Sequence, residues 1–161
     1  MNIHKLTELE AKEINTWKYE GIYTLYSFSG SEEIIEELLD GTYYGCCNDH
    51  GELIGYFCFG GNAQVPGGRD AKLYIGEDIL DIGLGMKPEL TGKGMGRSFF
   101  QAGMNLAKEK MQPKQIRLSV AAFNKRAIAL YRQVGFTVET TFSSRGREFI
   151  LMTYSCREKG K

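Results

Sequence analysis

The period of the apolar positions changes several times along the chain, and each change predicts an element. Ile3 to Leu6 reads as a short strand. Glu8 to Trp17 reads as a helix, with Leu9, Ile14 and Trp17 expected to face inward. A second helix is predicted over Glu32 to Leu39. Ser31 stands at its N-cap, two glutamates occupy its first turn, and the pairs Ile34/Ile35 and Leu38/Leu39 recur four apart. "TYYGCCND" and "ELIGYFCFGG" predict two strands joined by Asn48, Asp49, His50 and Gly51. Residues 61–77, rich in glycine and polar groups, predict a loop.

In the second half, Ile79 to Met86 alternates around Leu80, Ile82, Leu84 and Met86, which predicts a strand that Pro88 ends. Phe99, Phe100, Gly103, Leu106 and Ala107 fall at helical spacing, so a helix is expected to run to about Met111. Gln115 to Ala121 alternates Ile116, Leu118 and Val120 and predicts a strand. Asn124 is placed to cap a helix running to Val134, with Gly135 as its stop. Phe136 to Phe142 and Arg147 to Tyr154 predict a hairpin around Ser144, Arg145 and Gly146. The order is mixed α/β with antiparallel hairpins at both ends. Without repeats, low-complexity tracts or a linker, a single domain over residues 1–161 is expected.

Composition narrows the class. Hydrophobic residues at 42% and charged residues at 25% suit a globular chain of 161 residues with a sizeable core. No apolar run approaches the ~18 residues of a membrane span, and the N-terminus lacks the apolar core of a secretion signal. A cytoplasmic protein is expected, with neither a membrane nor a nucleic acid as partner, acting as a monomer or homodimer. The charge is uneven: residues 1–80 carry 5 Lys/Arg and 14 Asp/Glu, and residues 81–161 carry 15 and 6. An acidic and a basic half suit a cationic and an anionic ligand, or surface charges that meet in the fold. Cys46, Cys47, Cys58 and Cys156 include no C-x-x-C pair, and His4 and His50 are the two histidines. That spacing gives little support to a structural zinc site, so no metal and reduced thiols are expected. Cys46 and Cys47 are expected on opposite faces of a strand.

The densest signal is "ELTGKGMGRSFF", with Gly92, Gly94 and Gly96 at every second position just before a helix. Glycines so placed suit a backbone that turns sharply or approaches a ligand, and a helix start favours an anion. A Walker-type loop fails, because Gly92-Lys93 is followed by Gly94 and the required upstream glycine falls on Lys87. A dinucleotide fingerprint would end on Arg97 or Phe99, both too bulky for close helix–strand packing.

The stretch "MKPELTGKGMGRSF" closely resembles the coenzyme A loop of the GCN5-related N-acetyltransferases, whose pattern is Q/R-x-x-G-x-G/A after a strand. Thr91 stands in the Q/R place, a departure that removes one polar or cationic side chain. A second stretch, "NKRAIALYRQVGF", is similar to the family's N-x-x-A-x-x-L-Y-x-x-x-G-F hallmark. The two motifs cover about residues 79–136, with one helix and one strand between them. The resemblance implies a strongly twisted mixed sheet flanked by helices, with splayed central parallel strands. It implies acetyl-CoA as cosubstrate and a primary amine, on a small molecule or a peptide N-terminus, as acceptor. A catalytically silent acyl-CoA sensor on the same fold is the alternative.

The resemblance also assigns residues. Leu84, Gly85 and Met86 are expected to pair with the pantetheine arm. Gly92, Lys93, Gly94, Met95, Gly96 and Arg97 are expected to cradle the pyrophosphate, and Asn124 to contact the cofactor arm. Tyr131 matches the family's usual acid, and a phenol, protonated at neutral pH, can donate to a departing thiolate. Asp81 stands where some relatives place a glutamate base, so it is either a base or amine-positioner or a strand-pairing carboxylate. Ribosomal-protein acetyltransferases of the family use a glutamate at what is here Ser119. The family walls its acceptor site with the N-terminal region, here rich in aromatics (Trp17, Tyr19, Tyr23, Tyr26, Phe28), and with the last hairpin.

Overall fold

The computed structural model describes residues 1–156; residues 157–161, the end of the expected domain, lie outside the described residues. The strands are β1 (Asn2–Lys5), β2 (Tyr43–Cys47), β3 (Leu53–Phe59), β4 (Ile79–Met86), β5 (Gln115–Ala121), β6 (Thr137–Ser144) and β7 (Arg147–Ser155). The helices are α1 (Glu8–Thr16), α2 (Glu32–Leu38), α3 (Pro66–Asp70), α4 (Gly96–Leu106) and α5 (Lys125–Val134). They make a mixed α/β fold on a seven-stranded sheet of order β1-β2-β3-β4-β5-β7-β6. The chain forms two compact units. Residues Met1–Cys58 and Leu84–Gly103 make the first, and Phe59–Gly83 with Met104 onward make the second.

In the first unit, β1, β2 and β3 form an antiparallel meander with a bulge between Cys46 and Cys47. All seven residues of β3 are buried, as a strand covered on both faces requires. Phe57 stacks on Phe99 of α4, ring centroids 4.5 Å apart. The fit depends on missing side chains. A Cβ at Gly103 would lie 2.3 Å from Cε1 of Phe57, and one at Gly55 2.5 Å from Cζ of Phe99. Both rings are fully buried, and each contributes roughly 1.5–3 kcal/mol by leaving water.

α1 begins with a capping box. Thr7 accepts from the Glu10 N–H, and the Glu10 carboxylate accepts from the Thr7 N–H. Burial falls on Ala11, Ile14 and Asn15, with Trp17 at the C-cap also buried. Leu9, expected inward, is 80% exposed, because it lies two residues, about 200° of helix turn, before Ala11. The buried Asn15 amide donates to Ser31 O (2.9 Å) and accepts from Gly30 N (3.1 Å), which fastens the approach to α2. The Ser31 side chain makes no capping bond; its hydroxyl accepts from Ser29 instead. Of the expected apolar face of α2, Leu38 is fully buried and Leu39 is exposed.

In the second unit, β5 lies between β4 and β7, and β7 pairs with β6. The parallel β4–β5 ladder has three pairs, Ile79↔Gln115 to Asp81↔Arg117, although β4 runs on to Met86 and β5 to Ala121. On this pairing the parallel ladder ends at its third pair. The β6–β7 hairpin turns on Arg145 (φ 50°) and Gly146 (φ 77°), the left-handed pair that a two-residue turn demands. The expected loop over 61–77 contains a helix, α3, with Pro66 in its first turn. Its glycines serve close approach: a Cβ at Gly67 would lie 2.1 Å from Ser143 O, and one at Gly68 2.7 Å from the Tyr74 ring. The helix after the glycine loop continues to Met111 as expected, its last turn widened to π geometry over Ala107–Met111.

Gly103→Ala tests the ring packing. Alanine gains up to ~1 kcal/mol over glycine in a helix interior, whereas overpacking costs about 1–3 kcal/mol. The clash with Phe57 should win, and urea unfolding of the variant should show a lower midpoint.

Candidate active site

The glycine loop lies in the first unit. β4 ends at Met86, a 3-10 turn over Pro88–Leu90 follows, and the chain then enters the loop. Gly92 (φ 73°) and Gly94 (φ 81°) adopt the left-handed region, which L side chains reach only at a cost. A Cβ built on Gly94 meets nothing within 4 Å, so that backbone faces open space. Met95 O accepts the first helical bonds, from Phe99 N–H (3.1 Å) and from the Ser98 hydroxyl (3.1 Å). The following 11-residue α4 turns its positive end toward the loop. The first N–H groups of any helix have no carbonyl one turn back. Lys93 and Arg97 are exposed on the same stretch, while Phe99 and Phe100 anchor the helix in the core.

Leu84, Gly85 and Met86 lie half-buried at the end of β4. Lys87 N–H donates to Ile54 O of β3 at 2.9 Å, which holds this end in place. Gly85 is fixed by packing: a Cβ there would lie 2.4 Å from the Tyr56 ring. Met86 O accepts a 2.5 Å hydrogen bond from the Tyr19 hydroxyl. Burial, aided by the charge of Glu89, pushes that phenol well above its usual range, so Tyr19 remains a protonated donor. Tyr19 also meets Tyr26 edge-on, and Tyr23 stacks on Tyr26. These three rings are half-exposed, whereas Trp17 is buried against Tyr56. The tie between Tyr19 and Met86 joins the aromatic stretch to the strand end, and no periodicity signals it.

Asp81, Asn124 and Tyr131 lie in the second unit. Asp81 is buried, and both its oxygens are engaged. Arg117 Nε donates to Oδ1 at 2.5 Å, Arg117 Nη2 to Oδ2 at 3.0 Å, and Gln64 Nε2 to Oδ2 at 2.8 Å. Asp81 and Arg117 are register partners in the β4–β5 ladder. The remaining Arg117 nitrogen donates to Ile75 O, and the guanidinium lies over the Tyr74 ring. To take a proton, Asp81 would have to surrender bonds from a buried cation. The geometry therefore favours the strand-pairing role over the base. Ser119 shares a 2.6 Å hydrogen bond with the Tyr74 hydroxyl, which also accepts from Val65 N–H. Arg117, Gln64 and Tyr74 were not singled out from the sequence. The available signal was one acid and one base, each inside an apolar strand.

Asn124 caps α5, its Oδ1 accepting from Ala127 N–H at 3.4 Å. Tyr131 is buried on α5, its ring 6.2 Å from that of Phe136. The helix stops at Gly135, φ 123°, where Phe136 turns back to pack on Tyr154.

The family model described as the acetyltransferase (GNAT) family matches residues 6–136. The chain belongs to the GNAT acetyltransferase family. Solved GNAT structures share its fold. A chimera of the spermidine N-acetyltransferase SpeG from Vibrio cholerae with hSSAT superposes with a TM-score of 0.70 at 20% identity, covering 96% of this chain and 94% of that one. A GNAT-family acetyltransferase from Bacillus anthracis gives 0.67 at 14% identity, covering 95% and 93%. At such identities the likeness is one of fold. No curated protein gives a significant sequence match. No helix among the described residues is long and apolar enough to cross a membrane.

Asp81→Asn should expose the structural role of the GNAT strand pair. Removing one partner of a buried ion pair leaves the other charge uncompensated, at a cost of ~3–5 kcal/mol. A large fall in thermal midpoint is expected. The double replacement Asp81→Leu with Arg117→Met should recover most of it.

Proposed function

We propose that this chain is an acetyl-CoA-dependent N-acetyltransferase acting on a primary amine. The observation that carries the reading is the left-handed turn at Gly92 and Gly94, open to space at Gly94 and feeding the positive end of α4. Such a turn suits a pyrophosphate, because successive N–H groups converge on the anion and no side chain intervenes. Lys93 and Arg97 add positive charge. Acetyl-CoA supplies an acetyl group activated as a thioester. Leu84, Gly85 and Met86 are assigned to its pantetheine arm, and Asn124 to a further contact with that arm.

The chemistry asks three things of the protein. An ammonium has no lone pair, so the acceptor must lose a proton. With both Asp81 oxygens held, we assign that proton to water. The amine nitrogen then attacks the carbonyl carbon, and negative charge builds on its oxygen. A backbone N–H near Met86 is assigned to meet it. The C–N bond forms first; as the adduct collapses the C–S bond breaks, the Tyr131 hydroxyl gives its proton to the departing sulfur, and the new amide nitrogen sheds its surplus proton to water. Solvent restores the phenol. For the acceptor, the likeness to the spermidine N-acetyltransferase SpeG and the acidic first half support a polyamine as the first amine to test.

Calorimetry should show acetyl-CoA binding to the parent. Gly94→Asn and Gly94→Asp tolerate the left-handed backbone about equally, so their comparison isolates charge. The Asp variant should bind acetyl-CoA much more weakly than the Asn variant, and equal affinities would remove Gly94 from the cradle. Free-thiol release should then be measured with spermidine, an aminoglycoside, an amino acid and a peptide. Tight binding without release to any amine would favour the acyl-CoA sensor.

Tyr131→Phe keeps the ring and removes only the hydroxyl. A general acid commonly contributes ~10²–10⁴-fold, so single-turnover rates should fall within that range. The acetyl-CoA dissociation constant should change little. An unchanged rate would exclude Tyr131 as the acid.

A further inference from the structure

The first strand pair and the first helix bring together three side chains that neither sequence motif includes. In the β1–β2 ladder, Asn2 stands opposite Cys47 and His4 opposite Gly45, so Asn2, His4 and Cys47 share one face. Glu10 of α1 lies over that face. Its carboxylate is 2.8 and 3.0 Å from His4 Nε2, and its Oε2 is 3.5 Å from Cys47 Sγ. One donor atom from each of the three residues falls within 4.8 Å of the others. We propose that His4, Glu10 and Cys47 form a binding site for a thiophilic divalent cation of the Zn²⁺ class.

The donor set carries the choice of ion. Imidazole nitrogen, thiolate sulfur and carboxylate oxygen are the three ligand types zinc takes, at about 2.0–2.3 Å, which separates tetrahedral ligands by roughly 3.3–3.8 Å. The Cys47–Glu10 contact already has that spacing, and the His4–Glu10 pair needs to open by about half an ångström to reach it. The carboxylate faces Nε2 directly, and a metal ion would take the place of the proton between them. Ligation would send that proton and the Cys47 thiol proton to solvent.

Two further features hold the site. His4 Nδ1 lies 2.6 Å from Asn2 Oδ1, the kind of supporting bond that orients a ligating imidazole and leaves Nε2 toward the ion. Gly45 supplies the space: a Cβ there would lie 3.1 Å from Glu10 Oε1 and 3.0 Å from Leu6 Cδ1. Alanine there would make the carboxylate and Leu6 give way by a few tenths of an ångström. Glu10 divides its oxygens, Oε1 accepting from Thr7 N–H in the helix cap and Oε2 meeting Cys47. Cys47 is buried and unbridged. The three side chains border a pocket with Asn48 and Asp49, which leaves a fourth position for water.

The site is independent of the acetyl-transfer reading and is tested without it. Chelator-treated protein should be titrated with Zn²⁺ by calorimetry and with Co²⁺ by absorption. One equivalent should bind at the site, with a thiolate-to-cobalt charge-transfer band. Cys47→Ser should abolish the band and Cys156→Ser should leave it. Asn2→Ala should weaken Zn²⁺ by ~10–100-fold, as loss of a ligand's supporting bond commonly does. On the unaltered protein, Zn²⁺ should slow alkylation of Cys47, read by peptide mapping. Failure to take up metal, a band that survives Cys47→Ser, or an unchanged alkylation rate at Cys47 would each overturn the proposal.

Discussion

The stack of Phe57 on Phe99 is the contact on which the rest of the first unit depends. It is possible because Gly55 and Gly103 present no side chain to either ring. Protein interiors pack at crystal density, so removing a methyl group at the right place lets two rings and a helix close on a strand. That closure fixes where α4 begins, and the glycine loop ends at that point. A rigid helix start, anchored by Phe99 and Phe100, holds a short exposed loop. The same logic recurs at the end of β4, where Gly85 accepts the Tyr56 ring and Tyr19 binds the Met86 carbonyl.

The second unit uses charge where the first uses shape. Asp81 and Arg117 stand opposite each other at the last pair of a three-residue parallel ladder. Burying two charges is costly, and their attraction offsets the cost only when every donor and acceptor is satisfied. Here Gln64 fills the second carboxylate oxygen, and the Ile75 carbonyl with the Tyr74 ring completes the guanidinium. A register slip of one residue would strand both charges. The pair therefore specifies the ladder more than it stabilises it.

His4, Glu10 and Cys47 combine both devices. Strand register puts the histidine and the thiol on one face, and a missing side chain at Gly45 admits the carboxylate. Glu10 serves the start of α1 and the cluster at once.

Much of this was legible in the sequence. Alternation located β4 and β5, because a side-chain period of two follows from the strand itself, and the hairpin strands were read from the turn residues between them. Gly135, Asn124 and the Arg145-Gly146 turn were readable for the same kind of reason: their backbone requirements are local. The glycine loop was legible because it too is a local device. What periodicity could not supply was direction and partnership. Leu9 has the right residue type but the wrong angle on its helix. α3 forms through "PGGRD" because Ser143, Ser144 and Tyr74 leave room for glycine alone, a condition set by residues far along the chain. Asp81 could be read as a base until Arg117, 36 positions away, was found beside it. The cysteine and histidine spacing gave no metal pattern, since His4, Glu10 and Cys47 meet only through a strand pairing and a helix crossing. The sequence alone determined most of the elements and the glycine turn, because those follow from single residues and their neighbours. Only the tertiary structure decided which charges and donors meet, because contact across the chain depends on register and on the space that absent side chains leave.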